Sequence, residues 1–156
     1  MSTKNHRYST LMRWTGNLGA GTKDYKAYSR NYEISAPNKP ILAGSSDPTF
    51  RGDATRYNPE EMLVAALSSC HMLWYLHLCA VNGVVVLEYV DEAAGNMVEH
   101  ANGSGEFTEI TLKPSVRIAD ASAKEKAIQL HDDAAQMCFI ARSVNFPVTH
   151  QPTILT

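Results

Sequence analysis

From Met62 to Val81 the chain runs for twenty residues without one aspartate, glutamate, lysine or arginine. Just before this run, Asn58-Pro59-Glu60-Glu61 is built to start a helix. Asn caps the free N–H groups, Pro has the φ of a first helical position, and the two carboxylates favour the positive end of the helix dipole. Asn82-Gly83 supplies the stop, so the pattern predicts a helix over residues 59–81. A helix apolar on all sides has to be surrounded by something. A bilayer could do it, but Ser68, Ser69, His71 and His77 interrupt the run and no basic cluster flanks it. Protein is the expected cover and no membrane partner is expected. At 156 residues the chain is about one domain long, so residues 1–156 are expected to fold as a single domain. One domain struggles to wrap such a helix with its own chain, and a homodimer is therefore expected.

Around the helix the pattern is that of short strands. Segments 9–16 and 25–34 read as strands, the second with Tyr28, Tyr32 and Ile34 at period two, and Gly16, Gly19 and Gly21 lie between them as a turn. Residues 36–58 are rich in Pro, Gly, Ser and Asp and read as a long loop, a length at which loops are often functional. Residues 84–90 and 106–118 read as strands, with a turn at Asn102-Gly103. Residues 121–144 read as a second helix and 147–154 as a closing strand. Strands, helix, strands, helix, strand make an α+β fold.

Composition narrows the function. Fourteen basic and sixteen acidic residues give a net charge of −2 with no run of like charge, so nothing asks for nucleic acid. The opening MSTKNHRYST has no signal-peptide core, and a cytoplasmic location is expected. Three cysteines, Cys70, Cys79 and Cys138, without a C-x-x-C, make neither a disulfide scaffold nor a structural zinc site. Any disulfide is expected to be transient, because cytoplasmic thiols are kept reduced. Cys79 follows Cys70 by nine residues, half a turn out of phase on a helix, and reads as core. His77 lies about 10 Å along the helix from Cys70, too far to be its base. Adjacent Cys70-His71 has no good ligand spacing, and neither a metal nor a cofactor is expected.

The start Asn58-Pro59-Glu60-Glu61, the spacing of ten from Glu60 to Cys70, and a second cysteine 68 positions further on, followed by Phe146-Pro147-Val148, closely resemble the OsmC/Ohr family. These are the osmotically induced and organic hydroperoxide resistance proteins, and the resemblance extends from Trp14 onward. It implies antiparallel sheets packed around a long buried central helix, an intertwined homodimer, and active sites at the subunit interface. It also implies a thiol peroxidase of organic hydroperoxides in which Cys70 is the peroxidatic cysteine, Cys138 the resolving one, and Glu60 the carboxylate that holds an active-site arginine. A Cys70–Cys138 disulfide would then be reset by a dithiol reductant, which the family suggests is a lipoylated protein. The chain departs from the family after Cys138, where Phe139, Ile140 and Ala141 stand in place of proline and then serine, and His71 directly follows Cys70.

The chemistry makes its own demand for an arginine. A free cysteine is only about 3% thiolate at pH 7, and the thiolate is the nucleophile. A helix dipole fades within one turn and Cys70 sits about three turns in, so a cation must come from elsewhere. Arg51, in the long loop, is the first choice, followed by Arg30 and Arg56, although the family's arginine motif aligns here only with a one-residue shift. Arg30, on a face with Tyr28 and Tyr32, is expected to find a carboxylate. Arg51-Gly52-Asp53 also spells an integrin-binding tripeptide, which has no partner in the cytoplasm. Ten residues of helix separate Glu60 from Cys70 by about 15 Å, so Glu60 would have to act from the other subunit. Met62, Met72, Leu73 and Trp74 are expected to wall a pocket for an apolar hydroperoxide. Two other classes remain open. One is a non-catalytic small-molecule binding module with buried cysteines. The other is a cysteine hydrolase or acyltransferase, which would need a histidine within reach of Cys70 and oriented by a carboxylate.

Overall fold

The computed structural model describes residues 4–156. Their contacts gather into two units, Met1–Met62 and Leu63–Thr156.

In the first unit three short strands, β1 (Leu11–Trp14), β2 (Tyr32–Ser35) and β3 (Leu42–Gly44), form an antiparallel sheet in that order. Gly44 lies opposite Tyr32, and a Cβ there would stand 2.2 Å from the Tyr32 ring, so only glycine fits. The strand expected over 25–34 is confined to 32–35. Arg30 explains the loss: its guanidinium folds back to donate to the carbonyls of Tyr28 and Tyr25, both at 2.7 Å, and lies over both tyrosine rings. An extended segment cannot bring those carbonyls to one side chain. The expected carboxylate partner is replaced by carbonyls and π-faces, which compensate a partly buried cation. The segment 36–58 is not loop throughout, since it contains β3 and a 3-10 turn at Pro48–Phe50 that is capped by Asp47.

Helix α1 (Pro59–Val81) begins and ends as its caps require. The Glu61 N–H donates to Asn58 Oδ1 at 2.7 Å and the Asn58 N–H donates to Glu61 Oε2 at 3.1 Å, a reciprocal capping box. Past Val81, Gly83 takes φ +74, which a residue with a Cβ avoids.

In the second unit, β4 (Val86–Asp91), β5 (Ala94–Glu99), β6 (Gly105–Leu112), β7 (Pro114–Ile118), α2 (Lys124–Met137), β8 (Val148–His150) and β9 (Thr153–Leu155) follow α1. The expected strand over 106–118 is two strands, and so is the closing one over 147–154. Each pair divides between two sheets, ordered β4-β7-β9 and β5-β6-β8. The α+β class stands, but both sheets are mixed, because β8 joins β6 and β9 joins β7 in parallel. Asp91 fixes one of the switch points: its carboxylate accepts the Lys113 N–H and the Ser68 hydroxyl, tying the break between β6 and β7 to α1. β5 lies in a stretch with no strand expectation, its composition of Gly, Asn and Glu hiding a pairing that β6 imposes.

Within the chain, α1 buries only Leu67, His71, Tyr75 and Cys79, a stripe at intervals of four. The lower half of that stripe packs with Val84, Val116, Ile118, Leu130 and Ile154, and the upper half, at Leu67, with Ile110 and Leu112. Each such aliphatic side chain contributes about 1.5–3 kcal/mol on burial. One chain thus leaves most of the helix incompletely covered, as expected for a single domain of this size. By length and composition α1 could cross a membrane; its buried stripe lies against protein. Helix α2 is shorter than the expected 121–144. It ends at Met137, leaving Cys138 in extended backbone at its C-cap, followed by a turn and a 3-10 segment at Ala141–Ser143.

Candidate functional site

Two of the three cysteines meet in the second unit. Cys70 is half-buried on α1, Cys138 is buried at the end of α2, and the two thiols lie close enough for Cys70 to shift the ionisation of Cys138. The early end of α2 creates this proximity, because it frees the chain after Cys138 to curl. The curl returns the Ala141 N–H to the Cys138 sulfur at 3.4 Å, with the Ile140 N–H also directed at it. Burial pushes the Cys138 thiol up to about 11, and the neighbouring Cys70 adds to the rise; the two N–H donors oppose it by favouring the thiolate. Cys79 lies apart in the core, 1% exposed, in contact with the Tyr75 hydroxyl, and burial raises its thiol.

Next to the thiol pair is a shallow hollow of about 310 Å³ lined by Leu73, Trp74, His77 and Phe139. Leu73, Trp74 and His77 follow Cys70 by three, four and seven residues, so they share its helix face. Phe139, beside Cys138 in sequence, meets the Trp74 ring edge-on at 5.6 Å. Of the expected pocket wall, Leu73 and Trp74 are present, while Met62 and Met72 do not line the hollow.

The adjoining face of α1, about 100° round from Cys70 at His71, carries a feature the sequence did not reveal. His71 and His131 are both buried, with Nε2 of the first 3.0 Å from Nδ1 of the second, so one nitrogen donates and the other accepts. His131 is stacked on Tyr75 at 3.8 Å, and His150 lies 5.4 Å from His71 and 6.1 Å from His131 between ring centroids. His150 Nε2 is hydrogen-bonded to Asp132 Oδ1 at 3.0 Å. His71, His150 and Cys138 all line one interior cavity of about 30 Å³. Among the described residues no group of three His, Cys, Asp or Glu side chains is placed to hold a metal. His131 could have been suspected from the apolar spacing of Ala127, Leu130 and Ala134 around it on α2. Nothing local in the sequence marks His150.

The remaining candidates lie in the first unit. Glu60 is half-buried in the first turn of α1, near enough to Tyr32 to add to the rise that burial gives its hydroxyl. Arg30 is held by Tyr25 and Tyr28, and Arg56 pairs with Asp53 at 3.5 Å. Arg51 takes a left-handed backbone, φ 65, at the end of the 3-10 turn, with its guanidinium 5.9 Å from the Tyr25 ring centroid. Of the three arginines it alone makes neither an ion pair nor a hydrogen bond among the described residues.

Residues 52–153 match the model of the family described as OsmC-like protein. A solved OsmC-like protein of unknown function from Vibrio cholerae O1 biovar eltor is 28% identical, with a TM-score of 0.86 over 96% of this chain and 100% of that one. An organic hydroperoxide resistance protein from Elizabethkingia anophelis shares the fold at 17% identity, with a TM-score of 0.67 over 98% of this chain and 99% of that one. An organic hydroperoxide resistance protein OsmC from Legionella pneumophila does so at 14% identity, with a TM-score of 0.64 over 97% and 100%. No curated protein matches the chain significantly.

The histidine pair makes stability depend on pH in a definite direction. Burial, reinforced by the neighbouring histidines, lowers His71 from 6.5 to about 4 and His131 to about 3. Above about pH 6.5 both residues are neutral in the folded and unfolded chains and cost nothing. Below it the unfolded chain binds protons that the folded chain refuses, so stability is lost between about 6.5 and 4, on the order of 3 kcal/mol for His71. Urea unfolding at pH 7.5 and 4.5 should show this loss in the wild type and a much smaller one in the His71→Leu/His131→Leu double variant. Equal losses in the two proteins would remove the pair from the account.

Proposed function

Since the chain belongs to the OsmC-like protein family, we propose that it is a thiol peroxidase of organic hydroperoxides, with Cys70 as peroxidatic and Cys138 as resolving cysteine. The observation that carries the reading is the proximity of those two thiols while Cys79 is sealed in the core. A binding module has no need of two neighbouring thiols.

In the first step the Cys70 thiolate attacks the distal oxygen of R–O–O–H. An S–O bond forms, the O–O bond breaks, and the alkoxide takes a proton to leave as alcohol, giving Cys70 sulfenic acid. Cys138 then attacks the Cys70 sulfur, forming the disulfide and releasing water. A dithiol, for which a lipoylated protein is the proposed source, reduces the disulfide by exchange. The hollow of Leu73, Trp74, His77 and Phe139 favours an apolar R group over hydrogen peroxide.

Arg51, with its guanidinium unpaired among the described residues, is the cation proposed for the thiolate, and Glu60 of the partner subunit the carboxylate that orients it. The homodimer is part of the proposal. It is supported by the few buried residues of α1 and by Leu73 and Phe139, each 63% exposed in the single chain. The cytoplasm, where a dithiol reductant can act, is the proposed location.

Turnover of cumene hydroperoxide with dihydrolipoamide as reductant tests the function. The Cys70→Ser variant should lose at least 10³-fold, Cys79→Ser should stay within twofold of wild type, and Arg51→Ala should lose about 10² to 10³-fold in kcat/KM, the scale of one lost electrostatic partner. Wild-type turnover in Cys70→Ser, or none in the wild type, would defeat the reading. Sedimentation should give twice 17.2 kDa, and a soluble monomer at micromolar concentration would remove Glu60 from its cross-subunit role.

A further inference from the structure

Resolution has a proton problem. The Cys138 thiol is buried, its ordinary ionisation is opposed by that burial, and only its thiolate can attack the Cys70 sulfenic acid. Some base must take its proton, and Cys70 cannot, being the electrophile at that stage.

The cavity of about 30 Å³ holds the answer. Its polar lining is Cys138, His71, Thr149 and His150, and the remainder is apolar, including Leu67 and Leu112. This volume has room for a water. His71 spends Nε2 on His131 and is 2% exposed with no hydrogen-bonded carboxylate among the described residues, so a proton taken by its other nitrogen would be a buried, unpaired charge. His150 spends Nε2 on Asp132, and a carboxylate accepts, so Nε2 carries the hydrogen and Nδ1 is left as a free base. The Asp132 side chain is 69% exposed and that of His150 18%, so the pair joins the interior cavity to solvent.

We propose that His150, oriented by Asp132, is the base that takes the proton of Cys138 through a water in this cavity during disulfide formation. The arrangement is that of a nucleophile, a base and an orienting carboxylate, directed at the second cysteine and not at the first. The inference rests on the proposed roles of Cys70 and Cys138. The balance is complete: the Cys138 S–H bond breaks with its proton passing to His150, the S–S bond forms, the Cys70 S–O bond breaks, and the departing hydroxide takes the proton back to leave as water. The Ala141 and Ile140 N–H groups hold the transient thiolate. The titratable groups facing His150 are His71 from α1 and His131 and Asp132 from α2, with Cys138 across the cavity. The two neighbouring histidines stay neutral, so the protonated base has one charge partner, Asp132, which acts as a positioning residue.

Rapid mixing with one equivalent of cumene hydroperoxide, with dimedone trapping of sulfenic acid and mass measurement of disulfide from pH 5 to 9, separates the two steps. In His150→Gln, sulfenic acid should form at the wild-type rate, while disulfide forms about 10²-fold more slowly at pH 7. The variant's resolution rate should climb about tenfold per pH unit, tracking ionisation of the Cys138 thiol itself, where the wild type reaches a plateau below pH 8. Asp132→Asn should slow resolution about tenfold, and its exposed site leaves folding intact if the His150 variant fails to fold. Resolution at the wild-type rate and pH profile in either folded variant overturns the inference. If the wild type forms no sulfenic acid, it is the peroxidase reading that fails. The base is then tested with diamide, a two-electron oxidant that forms an adduct at Cys70 and leaves Cys138 the same attack to make. Slower disulfide formation in His150→Gln supports the base, and equal rates overturn it.

Discussion

The end of α2 at Met137 is the constraint on which the candidate site depends. A helix continued through Cys138 would point that sulfur by helical phase and commit the N–H groups of residues 139–141 to the carbonyls four residues back. Because the backbone turns extended at Cys138, the sulfur lies near Cys70, the Ala141 N–H returns to it, and Phe139 is placed against Trp74. The proximity of the thiols, a donor for the thiolate and one wall of the apolar hollow follow from the same break. The Cys138-Phe139-Ile140-Ala141 sequence is thus where the site is shaped.

The two faces of α1 have different duties. Cys70, Leu73, Trp74 and His77 lie along one, and Leu67, His71, Tyr75 and Cys79 along the other, which the sheets and α2 cover. Placing His71 on the covered face costs its protonated form, and the cost is met by keeping it neutral, paired to His131 and stacked in an aromatic column with Tyr75. His131 Nε2 is buried without a partner among the described residues, so the pair is a polar inclusion in the core with one unmet hydrogen bond there. A purely stabilising core would fill that space with leucines. His71, one member of the polar inclusion, lines the same cavity as His150 and Cys138.

Caps and periodicity made α1 legible to the residue, since Asn58, Pro59 and Gly83 act within one turn of themselves. Three features were not legible, and each depends on partners distant in sequence. Arg30 looked like a strand residue because its two carbonyl partners are defined only once the chain has turned. β5 is a strand because β6 pairs with it, and its own residues give no period. The end of α2 was masked because residues 138–144 contain neither glycine nor proline; tertiary packing of Ile140 and Ala141 beside Leu67 and Ile110 overrides a helical pattern there. Of the site, Cys70, Cys138, Leu73 and Trp74 could be named from the chain alone. His150 and Asp132 could not, because they are brought together by β8 and α2 across a separation that no local motif spans.

The central claim is that Cys70 and Cys138 form one redox centre, and the most direct measurement is of the covalent bond between them. One equivalent of cumene hydroperoxide added to the reduced protein, followed by digestion and non-reducing mass mapping, should yield a single crosslinked peptide pair, Cys70 with Cys138, within one subunit and with Cys79 still a free thiol. A crosslink through Cys79, a crosslink between subunits, or three unchanged thiols would contradict the account.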